Sequence, residues 1–177
     1  PSPDSPYAVS KLSAEYYIRT IGQLWGIETV SLRIFNAYGP EQNLPASHPP
    51  VIPNFLRQAI QQGTLVIHNS GHQTRDYVFV DDVVQAMAAA GTAPGVDGKT
   101  INVGSGTETS VNDLAKLVQK VTDSNAEVIF NPKSKGGVTR MRADISRARD
   151  LLAYIPRKTL EEGLRLTIKR DARFSHT

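Results

Sequence analysis

Short β-rich segments alternate with amphipathic helical segments along almost the whole chain, and this order constrains the fold more than any other feature. The β-rich segments are 28–35, 65–68, 76–80, 100–103 and 127–130. The helical segments are 6–25, 51–62, a third that ends near Ala90, one that ends near Thr122, 146–152, and a last one that begins at Thr159. Strands that alternate with helices in this way predict an α/β fold.

The helix boundaries are marked by residues that satisfy the free backbone groups at helix ends. Ser5 is a suitable N-cap, Pro6 fits the first helical position, and Gly26 suits the end of the first helix. Later helices have similar starts, which are Asp81 or Asp82, Ser110 with Asp113, and Thr159 with Glu162. Between residues 36 and 50, proline, glycine and asparagine predict a long loop.

The first helix carries a tyrosine and a lysine four residues apart, at Tyr7 and Lys11. Residues with this spacing lie on one helix face, so both side chains can point into one cleft. A nearby ammonium favours the phenolate form of a tyrosine. The pair can then exchange a hydroxyl proton while a cofactor exchanges hydride. The same spacing occurs by chance in many helices, where tyrosine packs and lysine is solvated.

Composition excludes several classes of protein. The 177 residues include no cysteine, so neither disulfides nor thiolate metal sites are available. No apolar run reaches the length of a membrane span, and no signal peptide is evident, so we expect a cytoplasmic protein. The net charge of +3 is mild and suits an anionic ligand. We expect no nucleic acid, no membrane and no metal, since His68 and His72 lack a third ligand.

Four ordered segments resemble the C-terminal portion of NAD-dependent epimerases and dehydratases, which are extended short-chain dehydrogenases/reductases. Members similar to UDP-glucose 4-epimerase look most alike. The segments are Ser5-Pro-Tyr-Ala-Val-Ser-Lys11, Leu32-Arg-Ile-Phe-Asn-Ala-Tyr-Gly-Pro-Glu-Gln42, Val51-Ile-Pro-Asn-Phe55 and Gln73-Thr-Arg-Asp-Tyr-Val-Phe-Val-Asp-Asp82. Weaker matches follow at 102–106, 143–148 and 160–163. Each segment alone is weak, but the ordered set covers essentially the whole chain.

The resemblance implies a role for each matching residue. Tyr7 would be the catalytic acid and base, and Lys11 would bind the nicotinamide ribose of NAD. Asn36 would bind near the phosphates of a nucleotide sugar, although an ordinary asparagine turn is the alternative. Arg75 would pair with the diphosphate, for which a planar guanidinium is well suited. A surface pair of Arg75 with Asp76 is the alternative.

The resemblance assigns further substrate contacts to Val51, to Tyr77 and to the segment from Val66 to His68. That segment would line the nucleobase pocket through its backbone groups.

The chain departs from the family pattern in its second phosphate-binding loop. Relatives carry an arginine and an acidic residue where Ser134 and Gly137 stand. The nearby cations Lys133, Lys135 and Arg140 are candidate replacements, and the identity of the ligand stays open.

A glycine-rich turn at 104–106 follows a strand and precedes a helix, as a dinucleotide-binding loop does. Thr109 stands where the third glycine of such a loop is needed, and no acid ends the next strand. We therefore interpret the segment as a structural turn. By resemblance, the family's own phosphate loop, ribose-binding acid and catalytic Ser or Thr would all precede Pro1, so we expect the isolated polypeptide to be inactive.

The resemblance implies the last part of a Rossmann-type doubly wound sheet joined to a small α/β substrate-binding domain. Residues 1–40 would end the NAD-binding domain and 41–177 would mainly bind substrate, with about 76–103 returning to the Rossmann portion. A homodimer is the implied assembly. The implied reaction is C4 epimerisation of a UDP-sugar such as UDP-glucose through a 4-keto intermediate. A 4,6-dehydratase, a UDP-glucuronate decarboxylase and a non-catalytic sugar-nucleotide-binding fragment remain alternatives.

Overall fold

The computed structural model describes residues 2–132 and 138–174, which form an α/β fold, as the alternation predicts. The described helices are α1 (Pro6–Trp25), α2 (Val51–Ile60), α3 (Val80–Ala90), α4 (Val111–Thr122), α5 (Ser146–Leu152) and α6 (Leu160–Arg170). The described strands are β1 (Val30–Ile34), β2 (Asn36–Tyr38), β3 (Leu65–His68), β4 (Thr74–Arg75), β5 (Tyr77–Phe79), β6 (Lys99–Val103), β7 (Thr109–Ser110) and β8 (Val128–Asn131).

Three of the four strand pairs are parallel, as expected where helices connect the strands. Strand β1 pairs with β6, β2 with β5, and β3 with β8. The short strands β4 and β7 are antiparallel, with Arg75 opposite Thr109. Within the described part of the chain, β1 has no partner strand on its other edge.

The described residues form two hydrophobic cores. One is formed largely by α2, α4, α6 and β3, with Phe55, Leu114 and Leu164 almost fully buried. The other is formed by α3, α5 and β6, with Ile101 and Ala148 at its centre. Alternate residues of β5 point into different cores, because Tyr77 and Phe79 belong to the first and Val78 to the second.

Helix α1 begins and ends at the predicted residues. The Ser5 hydroxyl accepts a hydrogen bond from the Ala8 backbone N–H, and Gly26 closes the helix in the left-handed conformation at φ 65°. A bidentate ion pair joins α1 to the sheet, since both carboxylate oxygens of Glu15 accept hydrogen bonds from Arg33, at 2.9 and 3.0 Å. Although partial burial opposes it, hydrogen bonds from Arg33 and Thr100 lower the pKa of Glu15.

Two predictions of local structure were wrong. Residues 36–38 form a strand within the predicted loop, because pairing with β5 satisfies their backbone groups. Neither Asp81 nor Asp82 caps α3, which begins at Val80 with no side-chain cap. Asp82 instead accepts hydrogen bonds from the backbone N–H groups of Arg157 and Lys158.

Serine and threonine cap the later helices as predicted. The Ser110 hydroxyl accepts from the Asp113 backbone N–H, and Thr159 forms a reciprocal capping box with Glu162.

Among the described residues, no helix is long and apolar enough to cross a membrane. The boundary at residue 40 between an NAD-binding and a substrate-binding domain stays a prediction.

Candidate active site

Tyr7 and Lys11 lie one turn apart on the same face of α1. The ammonium nitrogen of Lys11 is 5.5 Å from the centroid of the Tyr7 ring. Tyr7 is 72% exposed, so its phenol is open to a ligand or to another part of a larger molecule. The structure therefore brings the predicted proton-exchanging group and its cation together.

A groove between α1 and β1 adjoins this pair. Its cavity of about 570 Å³ is lined by Tyr7, Lys11 and Ile18 on the helix side and by residues of β1, such as Leu32, on the strand side. Most of the exposed lining surface is apolar. An apolar groove with a phenol and an ammonium at one end has the mixed character of a small-molecule site.

Arg75 lies at the end of β4 and is partly buried. One terminal nitrogen, Nη1, donates to the carbonyl oxygens of Thr74, at 2.7 Å, and of Val138, at 2.8 Å. These bonds fix the plane of the guanidinium. They leave Nη2 and Nε, the edge that can bind two phosphate oxygens at once, without a partner among the described residues. The alternative of a surface pair with Asp76 is wrong, because Asp76 is fully buried and bound elsewhere.

Asn36 begins β2, directly opposite Tyr77 of β5. Its side-chain amide nitrogen donates to the Asp76 carbonyl oxygen, at 3.3 Å, and to the Met141 sulfur, at 3.4 Å. Thioether sulfur is a weak acceptor. A phosphate oxygen could replace Met141 as the acceptor while the bond to Asp76 stays in place.

Tyr77 is buried in the first core with 6% of its surface exposed, and its hydroxyl has no hydrogen-bond partner among the described residues. Burial raises its pKa to about 12, although the nearby Arg75 has the opposite effect. A direct contact between Tyr77 and a substrate stays a prediction.

The residues assigned to the nucleobase pocket lie on two neighbouring elements. Val51 is the first residue of α2, and Val66 and His68 belong to β3. Both valines are partly buried, whereas His68 is exposed. The His68 carbonyl oxygen accepts a hydrogen bond from the side chain of Gln73, at 2.9 Å. Their role in binding a base also stays a prediction.

Arg140 is the one described residue among the cations proposed as replacements for the second phosphate-binding arginine. Arg140 forms an ion pair with Glu108, whose carboxylate also accepts from the Thr74 hydroxyl. These hydrogen bonds lower the pKa of Glu108. This ion pair occupies Nε and Nη2 of Arg140, which form the edge that can bind two phosphate oxygens at once. Lys133, Ser134, Lys135 and Gly137 lie outside the described residues.

A sequence model of the NAD dependent epimerase/dehydratase family matches residues 1–104. This chain belongs to that family. A UDP-glucose 4-epimerase of Mycolicibacterium smegmatis is 36% identical over 168 residues, which are 95% of this chain and 53% of that protein. UDP-glucuronic acid decarboxylase 4 of Arabidopsis thaliana is 32% identical over 93% of this chain and 36% of its own length.

Solved structures of related enzymes share the fold. A UDP-glucose 4-epimerase from Thermotoga maritima, solved with UDP-glucose, has a TM-score of 0.89 and 36% identity, over 96% of this chain and 54% of that one. A UDP-N-acetylglucosamine 4-epimerase from Methanobrevibacter ruminantium also has a TM-score of 0.89, with 31% identity, and covers 95% of this chain and 54% of its own. The chain thus spans about half the length of most of the relatives that it matches.

One feature of this epimerase/dehydratase family member was missed by the sequence reasoning. The buried carboxylate of Asp76 is bound by the glycine-rich turn at Gly104-Ser105-Gly106, through the backbone N–H groups of Ser105 and Gly106, at 2.7 and 2.9 Å. The turn is structural, as predicted, but it holds an anion that belongs to the chain itself. The Arg-Asp dipeptide and the glycine turn were both visible in the sequence, whereas their contact was not.

Proposed function

We propose that this chain is the C-terminal portion of an NAD-dependent enzyme that interconverts nucleotide sugars, most simply by C4 epimerisation of a UDP-sugar through a 4-keto intermediate. The observation that carries the proposal is the Tyr7–Lys11 pair, exposed on α1 beside an apolar groove. Membership of the family and the names of its relatives support the same reaction.

The donors and acceptors of α1 fit the nicotinamide end of NAD. A phenol, an ammonium and an apolar groove lie side by side on this part of the surface. The nicotinamide ring and the ribose of NAD would need such a combination of polar groups and apolar surface. The turn at Gly104-Ser105-Gly106 does not fit the pyrophosphate, because Asp76 already takes its N–H groups. We therefore expect the phosphates of NAD to be bound at a place other than this turn.

In the proposed reaction, Tyr7 accepts the proton of the sugar C4 hydroxyl and later returns it. Lys11 stabilises the phenolate by charge and binds the ribose hydroxyl groups through its ammonium. NAD, when bound, supplies the hydride acceptor and donor at C4. Epimerisation requires that the 4-keto sugar presents its opposite face to the cofactor between the two hydride steps. The nucleotide part of the substrate must therefore be held at a place other than Tyr7 and Lys11.

Arg75 and Asn36 would hold the nucleotide. The free edge of the Arg75 guanidinium can donate two parallel hydrogen bonds to the diphosphate, and Asn36 can donate a third once Met141 is displaced. These residues belong to β4 and β2, whereas Tyr7 and Lys11 belong to α1. The anchor is therefore separate from the proton-exchanging pair, as a turning sugar would need.

The test uses the parent protein, by which we mean the polypeptide that contains this chain together with its upstream half. Incubated with NAD and UDP-galactose, it should produce UDP-glucose, whereas the 177-residue chain alone should not. Calorimetric titration with UDP should show binding that Arg75→Ala weakens by about ten- to a hundredfold. Arg57→Ala is the control, since the side chain of Arg57 has Asn54 on α2 as its only partner among the described residues. Equal UDP affinity in Arg75→Ala would contradict the assignment.

A second candidate reaction is decarboxylation of a UDP-uronic acid, because UDP-glucuronic acid decarboxylases are among the similar proteins. The same first oxidation at C4 would serve it. The parent protein should then release CO₂ from UDP-glucuronate and form a UDP-pentose. Binding of UDP without turnover of either sugar would instead support a binding fragment.

The exposed face of α1 supports a homodimer as the proposed assembly. Its large apolar side chains on the surface include Tyr17, Ile21, Leu24 and Trp25, with Leu24 and Trp25 each 76% exposed. Large exposed apolar patches are uncommon on soluble monomers and often mark interaction sites. A second copy of the same helix would bury it in a two-fold contact.

A further inference from the structure

Asp76 is a fully buried carboxylate whose two oxygens together accept four hydrogen bonds. Its Oδ1 accepts from the backbone N–H of Ser105, at 2.7 Å, and from the Ser105 hydroxyl, at 2.8 Å. Its Oδ2 accepts from the N–H groups of Gly106, at 2.9 Å, and of Ala143, at 3.0 Å. None of its surface is exposed, and its four donors are uncharged.

The glycine turn is shaped to receive this carboxylate. A Cβ at Gly104 would lie 2.5 Å from the Cβ of Ala143 and 3.1 Å from both oxygens of Asp76. Gly106 has a φ of 74°, a conformation that side chains disfavour. Successive backbone N–H groups in such a turn form an anion-binding concavity.

The backbone of Asp76 connects this site to both proposed nucleotide-binding residues. Its carbonyl oxygen accepts from the backbone N–H of Asn36, at 3.1 Å, and from the Asn36 side chain, at 3.3 Å. Arg75 is the preceding residue in the chain. Asp76 also lies where the chain passes from β4, which pairs with β7, to β5, which pairs with β2.

We propose that Asp76 is a positioning residue, whose carboxylate fixes the place from which Arg75 and Asn36 bind the nucleotide. This inference rests on the proposed nucleotide-binding role of that pair. Four hydrogen bonds clamp the Asp76 side chain to the glycine turn and to the segment at Ala143. The Asp76 peptide group then has one position. The Arg75 guanidinium and the Asn36 side-chain amide are thereby held at a constant separation, although neither contacts the Asp76 carboxylate.

The test is UDP affinity of the parent protein with Asp76→Asn. An amide has the same shape but must turn an NH₂ group toward backbone N–H donors, so at least one oxygen site is lost. We expect UDP binding to weaken by about tenfold or more at 25 °C. Asp82→Asn is the matched control, because Asp82 is also almost fully buried and accepts from two backbone N–H groups, where Asp76 accepts from three. The melting temperature of Asp82→Asn should fall, like that of Asp76→Asn, but its UDP affinity should be unchanged within about twofold.

A double variant separates positioning from general destabilisation. If Asp76 acts through Arg75, adding Asp76→Asn to Arg75→Ala should weaken UDP binding less than the product of the two single effects. Fully multiplicative effects, or an Asp76→Asn protein that binds UDP like the Asp82→Asn control, would overturn the inference while leaving the nucleotide site intact.

Ser105→Ala serves if Asp76→Asn fails to fold. It removes the hydroxyl donor to Oδ1 and the hydroxyl's contacts with Thr107, but leaves the three backbone donors to Asp76 in place. We expect about threefold weaker UDP binding in a folded protein. Unchanged binding would overturn the positioning role. If the unaltered parent protein binds no UDP, the nucleotide site itself is refuted, and the inference with it.

Discussion

The ammonium of Lys11 lies 5.5 Å from the centre of the Tyr7 ring, one helical turn along α1. This contact places a positive charge over the face of the phenol, where the ring attracts it. Both residues are exposed, so the pair is held by the helix alone. The proposed function of the pair therefore depends on the position of α1, which Glu15 fixes to β1 and β6 through Arg33 and Thr100.

Replacing Tyr7 with phenylalanine should remove the proton-exchanging hydroxyl and leave the ring. In the parent protein, we expect kcat for a UDP-sugar to fall by about 10²- to 10⁴-fold, while the Kd for UDP is unchanged. Steady-state kinetics and UDP titration measure the two effects. Tyr17→Phe is the control on the same helix, since Tyr17 is 69% exposed. Equal losses in both variants would refute the role of Tyr7.

Replacing Lys11 with methionine should remove the charge but keep an unbranched side chain. We expect a lower kcat together with a higher KM for NAD, because the ammonium would act on both the phenol and the ribose. Lys116→Met is the control, since that lysine is exposed on α4 and, within the described part of the chain, makes only a long contact with Asp113, at 3.9 Å. A normal KM for NAD would argue against ribose binding by Lys11.

Gly163→Ala should destabilise the fold. A Cβ at this position of α6 would collide with the hydroxyl of Tyr38, a buried residue of the first core. We expect the free energy of unfolding to fall by about 1–3 kcal/mol, measured by urea denaturation. Gly91→Ala is the control, because its Cβ would meet nothing closer than 3.6 Å. It should change stability by less than about 1 kcal/mol.

Asp171→Asn should reduce stability in a pH-dependent way. Hydrogen bonds from Arg173, with that from the Glu41 backbone, lower the pKa of Asp171 to about 2 in the folded state, although burial opposes them. The unfolded value is about 3.9. The ionised carboxylate therefore stabilises the fold at neutral pH, and this contribution is lost as pH falls from about 4 towards 2.

Unfolding at several pH values checks this expectation. The difference between Asp171→Asn and the unaltered protein should be about 1–2 kcal/mol at pH 7 and should shrink below about pH 4. Asp150→Asn, at an exposed position of α5, should change stability by less than about 0.5 kcal/mol. A difference for Asp171→Asn that is constant with pH would contradict the assigned cause.

Ile21→Glu should weaken the proposed homodimer. Ile21 is 47% exposed on α1, and a carboxylate there would be buried against apolar side chains in a two-fold contact. Light scattering of the parent protein should show a lower molar mass at the same concentration. Val84→Glu, at an exposed position of α3, is the control and should leave the mass unchanged. A monomer before any substitution would refute the dimer.

Short-range signals predicted the helices well. Ser5, Ser110 and Thr159 cap their helices, and Gly26 ends α1, because each of these bonds joins residues only a few positions apart. The strand at Asn36–Tyr38 was missed for the opposite reason. Its partner, β5, begins at Tyr77, and no local pattern in a proline-containing loop specifies that pairing.

The sequence by itself determined the alternation of elements, the helix caps and the Tyr7–Lys11 face, since each depends on spacing within one turn or one element. Only the tertiary structure decided where the buried charges go. Asp82 does not cap its helix but accepts a hydrogen bond from the backbone N–H of Arg157. Asp76 accepts hydrogen bonds from a glycine turn 29 residues away in the sequence. A carboxylate removed from water must find donors wherever the fold supplies them, and that choice depends on contacts distant in the chain.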